Sequence, residues 1–236
     1  MKDINNWQSK FAPCEYYYRL MEKPHQMNQG VNMPIDLDEV KKAVYYAKKY
    51  HGSQMRQSGE PYYTHPIEVA YIVSDYLPRT DIIVTSILHD TIEDTEFTEP
   101  MIAHIFGNKV ASQVEDLSRN KPYGKISSAE MVKILYRQKK YDVLMIKIID
   151  RLHNTRTIGA KSPEKIKKII EETFKQFLIL AIALDMYEVG EELSELCYNH
   201  LACTPFLEED CRMFSEDHFK LQVITFENDL DPVYTL

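Results

Sequence analysis

Glycine, cysteine and long apolar runs are scarce in this chain of 236 residues, which contains seven Gly and four Cys. The low glycine content, beside many Lys, Glu, Ile and Leu residues, favours helices. No two cysteines form a CxxC pair, so Cys14, Cys197, Cys203 and Cys211 predict free thiols in a reducing cytosol. The longest apolar run, 177–184, is too short to cross a bilayer, and no charged-then-apolar signal segment opens the chain. We therefore expect a cytoplasmic protein without a membrane partner.

Positive charge is also in short supply, since the formal net charge is -8 at pH 7. The imbalance is concentrated at the C-terminal end, where residues 202–236 contain eight acids and two bases. Proteins that bind nucleic-acid polymers usually present a basic face, so this charge argues against such a partner. A small anionic ligand, held by a few local cations and a metal, is compatible with it.

Helical periodicity dominates the chain between residues 34 and 201. Asp36 is the predicted N-cap of a helix that reaches Tyr50, and His65-Pro66 begins the next helix. Further helices are predicted over about 81–92, 99–106, 110–117, 128–138, 141–157, 163–185 and 187–201, with a polar loop over 118–125. Residues 1–33 are predicted to form an arm with one short helix, and 221–226 a single short strand. The expected fold is an all-α helical bundle with an irregular N-terminal arm and an acidic C-terminal tail.

Four ionisable residues crowd the end of the helix predicted over 81–92, namely His89, Asp90, Glu93 and Asp94. On a continuous helix His89 would share a face with Glu93, and Asp90 with Asp94. Three carboxylates with little positive charge nearby would repel one another on a half-buried helix. A divalent cation would relieve this repulsion, and imidazole with carboxylate suits manganese, iron or zinc. The alternative is a solvated acidic helix end.

Asp150 is a further carboxylate in an apolar setting, on the helix predicted over 141–157, where Asn154 and Thr157 share its face. A buried carboxylate needs a partner, which would be Lys147, Arg151 or a metal. His65 alone is more typical of a structural histidine than of a ligand. Together, however, His65, the His89-Asp90 pair and Asp150 resemble the H…HD…D signature of HD domains, in which four side chains from three helices bind one divalent ion.

Longer motifs narrow this resemblance to one family. The segments 56–62 (RQSGEPY), 88–95 (LHDTIEDT) and 149–157 (IDRLHNTRT) resemble the hydrolase domain of the RelA/SpoT homologues, and the resemblance runs from about Val40 to Leu201. Too few residues follow Leu201 for the synthetase domain of the fuller members, so the chain resembles the stand-alone small alarmone hydrolases. The expected domains are the arm over 1–33, an HD-type phosphohydrolase domain over 34–201 and the acidic tail over 202–236.

The resemblance implies a manganese-dependent enzyme that removes the 3′-diphosphate of ppGpp or pppGpp as pyrophosphate and returns GDP or GTP. By position it implies the metal ligands His65, His89, Asp90 and Asp150, with manganese or another divalent ion bound. It further implies the catalytic carboxylates Glu93 and Asp94 and the nucleotide contacts Arg56, Ser58, Lys121, Asn154 and Thr157. Two alternatives stay open: an HD phosphohydrolase for another phosphorylated nucleotide, and a non-catalytic alarmone-binding protein. Assembly into a homo-oligomer is also left open.

Overall fold

The computed structural model describes residues 6–29 and 33–202 of the chain. Regular structure in these ranges is almost entirely helical, so the expected all-α class is confirmed. The chain divides into two compact units, the first ending at Ser127 and the second beginning at Ser128. The acidic tail beyond residue 202, with its predicted strand over 221–226, lies outside the described residues. Among the residues described, we find no helix with both the length and the apolarity that a membrane span requires.

The first unit is built around a buried central helix, α5 (Thr80–Leu88), in which every residue from Ile82 to Leu88 is buried. It packs against α3, α4 and α8. A short helix that is buried on all sides belongs in the middle of a core. The unit also contains α1 (Trp7–Lys10), α2 (Glu15–Met27), α3 (Leu37–His51), α4 (Thr64–Tyr76), α6 (Thr91–Asp94), α7 (Glu99–Phe106), α8 (Asn108–Leu117), β1 (Asn120–Lys121) and β2 (Gly124–Lys125).

The N-terminal arm has more regular structure than the one short helix predicted for it. It contains both α1 and the 13-residue helix α2, which packs on α4. Leu20 of α2 is fully buried, and Arg19 lies 2.8 Å from Glu68 of α4. Arg19 and Lys23 both lie over the ring of Tyr71, at 4.2 Å and 3.6 Å from its centroid. These contacts make the described part of the arm a component of the first unit.

Several helix boundaries follow the signals in the sequence. Asp36 caps α3 as predicted, because its Oδ1 accepts hydrogen bonds of 3.0 Å from the backbone N–H groups of Asp38 and Glu39. The next predicted helix is confirmed as α4, which begins one residue early, at Thr64. The break between α7 and α8 is also confirmed: Gly107 has a φ of 88°, a value that favours glycine.

The helix predicted over 81–92 is wrong at its C-terminal end. α5 ends at Leu88, His89 and Asp90 form a turn, and α6 is a separate single turn. The hydroxyl of Thr91 donates a 2.6 Å hydrogen bond to the carbonyl of Leu88. This side-chain bond competes with the backbone hydrogen bond that the same carbonyl would accept in a continuous helix. The backbone of Asp90, at φ −94° and ψ −8°, departs from helical values.

The polar loop predicted over 118–125 contains a two-stranded hairpin instead. Asn120 pairs with Lys125, and Lys121 pairs with Gly124. Gly124 has a φ of 122°, which a residue with a Cβ rarely adopts. The turn therefore depends on glycine, and it brings Lys125 back beside Arg119, the residue that precedes β1.

The second unit contains α9 (Ser128–Arg137), α10 (Tyr141–Arg156), a 3₁₀ turn (Ile158–Ala160), α11 (Pro163–Glu172), α12 (Leu178–Ala183) and α13 (Tyr187–Ala202). A π-helical segment, Thr173–Phe177, joins α11 to α12, so the long helix predicted over 163–185 has an irregular centre. α10 packs against α13. Cys197 of α13 and Cys14 of the first unit are free thiols, as predicted, and the other two cysteines lie outside the described residues.

Candidate active site

Two buried histidines of the first unit face the two oxygens of one carboxylate. His65 is the second residue of α4, and His89 and Asp90 form the turn after α5. His89 Nε2 lies 3.1 Å from Asp90 Oδ1, and His65 Nε2 lies 3.7 Å from Asp90 Oδ2. Each histidine is 2% exposed, and the two ring centroids are 5.3 Å apart. The structure therefore brings three of the four predicted ligands into one small His/His/Asp group.

The hydrogen bonding of His89 shows which ring nitrogen can bind a metal. Its Nδ1 lies 2.8 Å from the carbonyl oxygen of Ser86. A carbonyl only accepts, so Nδ1 carries a hydrogen and Nε2 keeps its lone pair in the neutral ring. Metal-binding histidines commonly show this arrangement, with one nitrogen anchored on a carbonyl and the other presented to the ion. The donor chemistry of His65, His89 and Asp90 therefore fits a divalent metal ion.

Asp150, the fourth predicted ligand, is a buried carboxylate on α10 of the second unit, where it is 5% exposed. Its Oδ2 lies 2.5 Å from Lys147 Nζ, and its Oδ1 accepts a 2.6 Å hydrogen bond from Asn154 Nδ2. The expected neighbours Lys147 and Asn154 are therefore confirmed, while Arg151 pairs with a carboxylate of α11. Thr157 follows the last residue of α10.

Glu93 lies against two cations that were not predicted from the sequence. Its Oε1 is 2.6 Å from Arg119 Nη2 and 2.8 Å from Lys125 Nζ, and its Oε2 accepts a 3.1 Å hydrogen bond from the backbone N–H of Arg119. The expectation of little positive charge near the acids is therefore wrong at Glu93. Burial raises the pKa of Glu93, but the hydrogen bonds from Arg119 and Lys125 outweigh it, so the pKa lies below its ordinary value.

Asp94 shares a tyrosine hydroxyl with Asp90. The oxygen of Tyr62 lies 3.0 Å from Asp90 Oδ2 and 2.9 Å from Asp94 Oδ2. Partial burial and then the charge of Asp90 raise the pKa of Asp94, although the hydrogen bond from Tyr62 acts in the other direction. The pKa of Tyr62 is itself raised by burial and by both carboxylates, so its hydroxyl is protonated. The adjacent acids Glu93 and Asp94 thus have pKa values displaced in opposite directions.

Tyr62 is in turn packed against His51, the last residue of α3. The two rings stack with centroids 4.7 Å apart, and burial lowers the pKa of His51. His51 Nδ1 lies 2.9 Å from Gln54 Oε1, and Gln54 Nε2 donates a 2.9 Å hydrogen bond to the backbone carbonyl of Asp94. One set of contacts therefore connects the end of α3, the following loop and α6.

The remaining residues predicted to contact nucleotide lie on the loop after α3 and on the hairpin. Arg56 and Ser58 belong to the loop over 52–63, which is closed by a 2.8 Å hydrogen bond from the backbone N–H of Arg56 to the carbonyl of Glu60. Lys121 lies on β1, where its ammonium donates a 2.7 Å hydrogen bond to the carbonyl of Glu115.

A protein-family model described as "HD domain" matches residues 43–187, more than half of the chain. Among curated proteins, the GTP pyrophosphokinase rsh of Brucella ovis is 37% identical over 190 residues, which are 78% of this chain and 25% of the relative. The guanosine-3′,5′-bis(diphosphate) 3′-pyrophosphohydrolase of Aquifex aeolicus is 34% identical over 71% of this chain and 25% of its own length.

The bifunctional (p)ppGpp synthase/hydrolase SpoT of Escherichia coli K12 is 34% identical over 74% of this chain and 26% of its own length. The chain therefore spans about a quarter of the length of these curated relatives. A solved structure of a metazoan SpoT ortholog that hydrolyses ppGpp is 17% identical, with a TM-score of 0.48 over 81% of this chain and 96% of that chain. The resemblance to RelA/SpoT homologues predicted from the motifs is confirmed by the three curated relatives, and the chain belongs to the HD domain family.

Proposed function

We propose that this chain is a metal-dependent (p)ppGpp 3′-pyrophosphohydrolase, which uses water to release pyrophosphate and return GDP or GTP. The observation that carries the proposal is the group of His65, His89 and Asp90, with Asp94 joined to it through the hydroxyl of Tyr62. Relatives named as enzymes of ppGpp hydrolysis support the class of substrate.

His65, His89 and Asp90 would hold the metal ion, and we assign Asp150 of α10 as the fourth ligand. The burial of Asp150 and its place in the H…HD…D pattern support this assignment. Manganese is the ion we propose, because imidazole and carboxylate donors suit it. A divalent ion bound here would lower the pKa of a water molecule and polarise a phosphoryl oxygen.

Asp94 is the group we assign to accept the proton of the attacking water. Its raised pKa makes it the stronger base of the two adjacent acids, and Tyr62 keeps its carboxylate beside Asp90. As the water oxygen bonds to the phosphorus of the 3′-diphosphate, the bond from that phosphorus to the 3′-oxygen breaks. Pyrophosphate then leaves, and the 3′-oxygen takes up a proton, equivalent to the one that Asp94 accepted from water, so that the nucleotide ends with a 3′-hydroxyl.

Glu93, the other member of the acidic pair, acts through the cations that it binds. Arg119 and Lys125 have side chains that are 39% and 55% exposed, so both are accessible to an anionic ligand. We assign them to the phosphates, where their charge offsets the charge that develops during hydrolysis. With two cations on its carboxylate, Glu93 is a poor proton acceptor.

The nucleotide contacts are assigned to four residues of the family motifs and to one lysine of the hairpin, which the resemblance places near the phosphates. An asparagine can bond a ribose or phosphate oxygen without adding charge, which suits a site that already has acidic groups. The five residues are Arg56, Ser58, Lys121, Asn154 and Thr157.

The test of this function is release of pyrophosphate from ppGpp by the whole chain with Mn²⁺, in the presence and absence of a chelator. We expect turnover to GDP with Mn²⁺ and none with the chelator. Turnover that survives the chelator would contradict the metal requirement. Binding of ppGpp without pyrophosphate release would identify a non-catalytic alarmone-binding protein.

A competition experiment tests which nucleotide is the preferred substrate. ppGpp, an adenine alarmone and a 3′-phosphorylated dinucleotide cofactor would be supplied together at equal concentration. We expect ppGpp to be consumed first, and faster consumption of either rival would overturn the assignment of guanine.

Metal binding tests Asp150 separately. Calorimetric titration with Mn²⁺ should show no binding by Asp150→Asn and normal binding by Asp142→Asn, a control near the start of the same helix. Equal affinities in the two variants would remove Asp150 from the ligand set.

A further inference from the structure

We propose that Tyr62 is a positioning residue, which keeps the Asp94 carboxylate turned toward the group of His65, His89 and Asp90. This inference rests on the proposed function, because it concerns how Asp94 is made ready to accept a proton. Tyr62 is not among the residues that the sequence motifs assigned to the site.

The geometry around the Tyr62 hydroxyl is the first argument. A phenol has a single hydrogen to donate, yet its oxygen here lies 3.0 Å and 2.9 Å from oxygens of two different aspartates. Like charges this close repel each other, and Asp94 is at the surface, where its side chain could turn toward water. The shared hydroxyl opposes that movement. When Asp90 binds a metal, the hydrogen of Tyr62 is available to Asp94.

The second argument is that Tyr62 is itself held in place. Its ring stacks on buried His51 and meets the ring of His65 edge to face, with centroids 6.2 Å apart. Its backbone N–H donates a 2.9 Å hydrogen bond to the carbonyl of Gln54. Gln54 also binds the backbone of Asp94 through its side chain. A group that orients a reacting side chain needs this kind of support on several sides.

A hydroxyl deletion separates positioning from packing. Tyr62→Phe keeps the ring and its stacking on His51 but removes the donor. The matched control is Tyr63→Phe, one residue along the same loop, because the ring centroid of Tyr63 lies 5.0 Å from Lys48 Nζ and neither residue has an assigned role in the reaction. Both variants remove one oxygen atom from a partly buried tyrosine.

The experiment measures kcat and KM for ppGpp at saturating Mn²⁺, together with Mn²⁺ affinity by calorimetry. We expect Tyr62→Phe to lower kcat about tenfold to hundredfold, which is typical when a supporting hydrogen bond is lost. KM and Mn²⁺ affinity should stay within about twofold, because neither substrate contacts nor ligands are removed. Tyr63→Phe should match the wild type. An unchanged kcat in Tyr62→Phe, or a Mn²⁺ affinity that falls as far as kcat does, would overturn the proposal.

A double-mutant cycle shows whether Tyr62 acts through Asp94. Under single-turnover conditions with excess enzyme, Tyr62→Phe should have no further effect on the rate in an Asp94→Asn background. A full additional loss would overturn the proposal. A crystal structure of Tyr62→Phe provides a test that does not depend on enzymatic activity. The Asp94 carboxylate should turn away from Asp90, and an unchanged position of this carboxylate would contradict the proposed role of Tyr62.

The outcomes for the proposed function and for Tyr62 are distinguishable. If the wild-type chain releases no pyrophosphate from ppGpp with Mn²⁺, the proposed function fails and the role of Tyr62 fails with it. If the wild type is active and Tyr62→Phe is equally active, the inference about Tyr62 fails alone.

Discussion

Glu93 and Asp94 are adjacent in the sequence, but their carboxylates lie in opposite electrostatic surroundings. Glu93 contacts the guanidinium of Arg119 and the ammonium of Lys125, and its pKa is lowered. Asp94 lies near the carboxylate of Asp90, with the hydroxyl of Tyr62 shared between them, and its pKa is raised.

Two adjacent acids of one motif therefore need not act as equivalent groups. Neighbouring carboxylates whose pKa values are displaced in opposite directions are suited to different tasks. Here the cation-bound acid is suited to organising positive charge, and the acid beside another carboxylate is suited to accepting a proton. Four substitution experiments follow from this division, in order of decreasing effect.

The largest effect is expected for Asp94→Asn, which removes the proton acceptor. We predict a fall in kcat of about 100-fold or more, the usual contribution of a general base, with Mn²⁺ affinity retained. The measurement is pyrophosphate release from ppGpp under single-turnover conditions. Asp75→Asn, which removes a carboxylate paired with Lys23 elsewhere in the first unit, is the control and should be fully active.

Glu93→Gln should have a smaller effect of a different kind. The neutral amide cannot bind both cations, so Arg119 and Lys125 lose their common anchor. We predict a loss in kcat/KM of about tenfold, the equivalent of about 1.4 kcal/mol, carried mainly by a higher KM for ppGpp. Steady-state kinetics at saturating Mn²⁺ would check this, and an unchanged KM with kcat reduced as far as in Asp94→Asn would make the two acids equivalent.

Lys125→Met tests one cation directly. Loss of a partly exposed charge near the phosphates should raise KM about fivefold, which corresponds to about 1 kcal/mol. Lys109→Met is a matched control, because Lys109 also lies 2.8 Å from a carboxylate, that of Asp81, on another part of the first unit. Equal changes in KM for the two variants would show that the position of Lys125 has no special importance.

The smallest effects concern the free energy of unfolding of the metal-free protein, to which the two acids should make contributions of opposite sign. The pKa of Glu93 is lower in the folded chain than its ordinary 4.5, so Glu93 adds stability above that pH, which is lost as the pH falls through the folded value. The pKa of Asp94 is raised above 3.8, so its ionised form costs stability at neutral pH.

Urea unfolding at about pH 7 should therefore show Glu93→Gln below the wild type and Asp94→Asn above it, each by about 1 kcal/mol or less because both groups are partly solvated. Near pH 3 to 4 the Glu93→Gln difference should shrink. Changes of the same sign at neutral pH would contradict the opposite pKa shifts.

Much of the fold could be predicted because its signals are local. The Asp36 cap and the glycine stop at Gly107 each act within one turn of helix, and both helix boundaries are confirmed. The meeting of His65 with the His89-Asp90 pair could also be predicted, because the spacing of these residues resembles a known signature. The end of α5 was not predicted, because the apolar periodicity of the sequence continues as far as Ile92. The helix nevertheless ends at Leu88, whose carbonyl accepts a hydrogen bond from the side chain of Thr91.

The surroundings of the acids could not be predicted in the same way. Arg119 and Lys125 reach Glu93 only because a short hairpin folds back at Gly124, and four strand residues give little periodicity to detect. The role of Tyr62 depends on contacts with residues from α3, α4 and α6. The sequence shows a tyrosine three residues before His65 in a polar loop. That position alone does not indicate which residues the tyrosine hydroxyl contacts.

The most direct measurement compares kcat for pyrophosphate release from ppGpp in the wild type, Asp94→Asn and Glu93→Gln at saturating Mn²⁺. If Asp94 is the proton acceptor and Glu93 organises cations, kcat of Asp94→Asn will be at least about tenfold below that of Glu93→Gln. A kcat for Glu93→Gln equal to or below that of Asp94→Asn would contradict this assignment of the two acids.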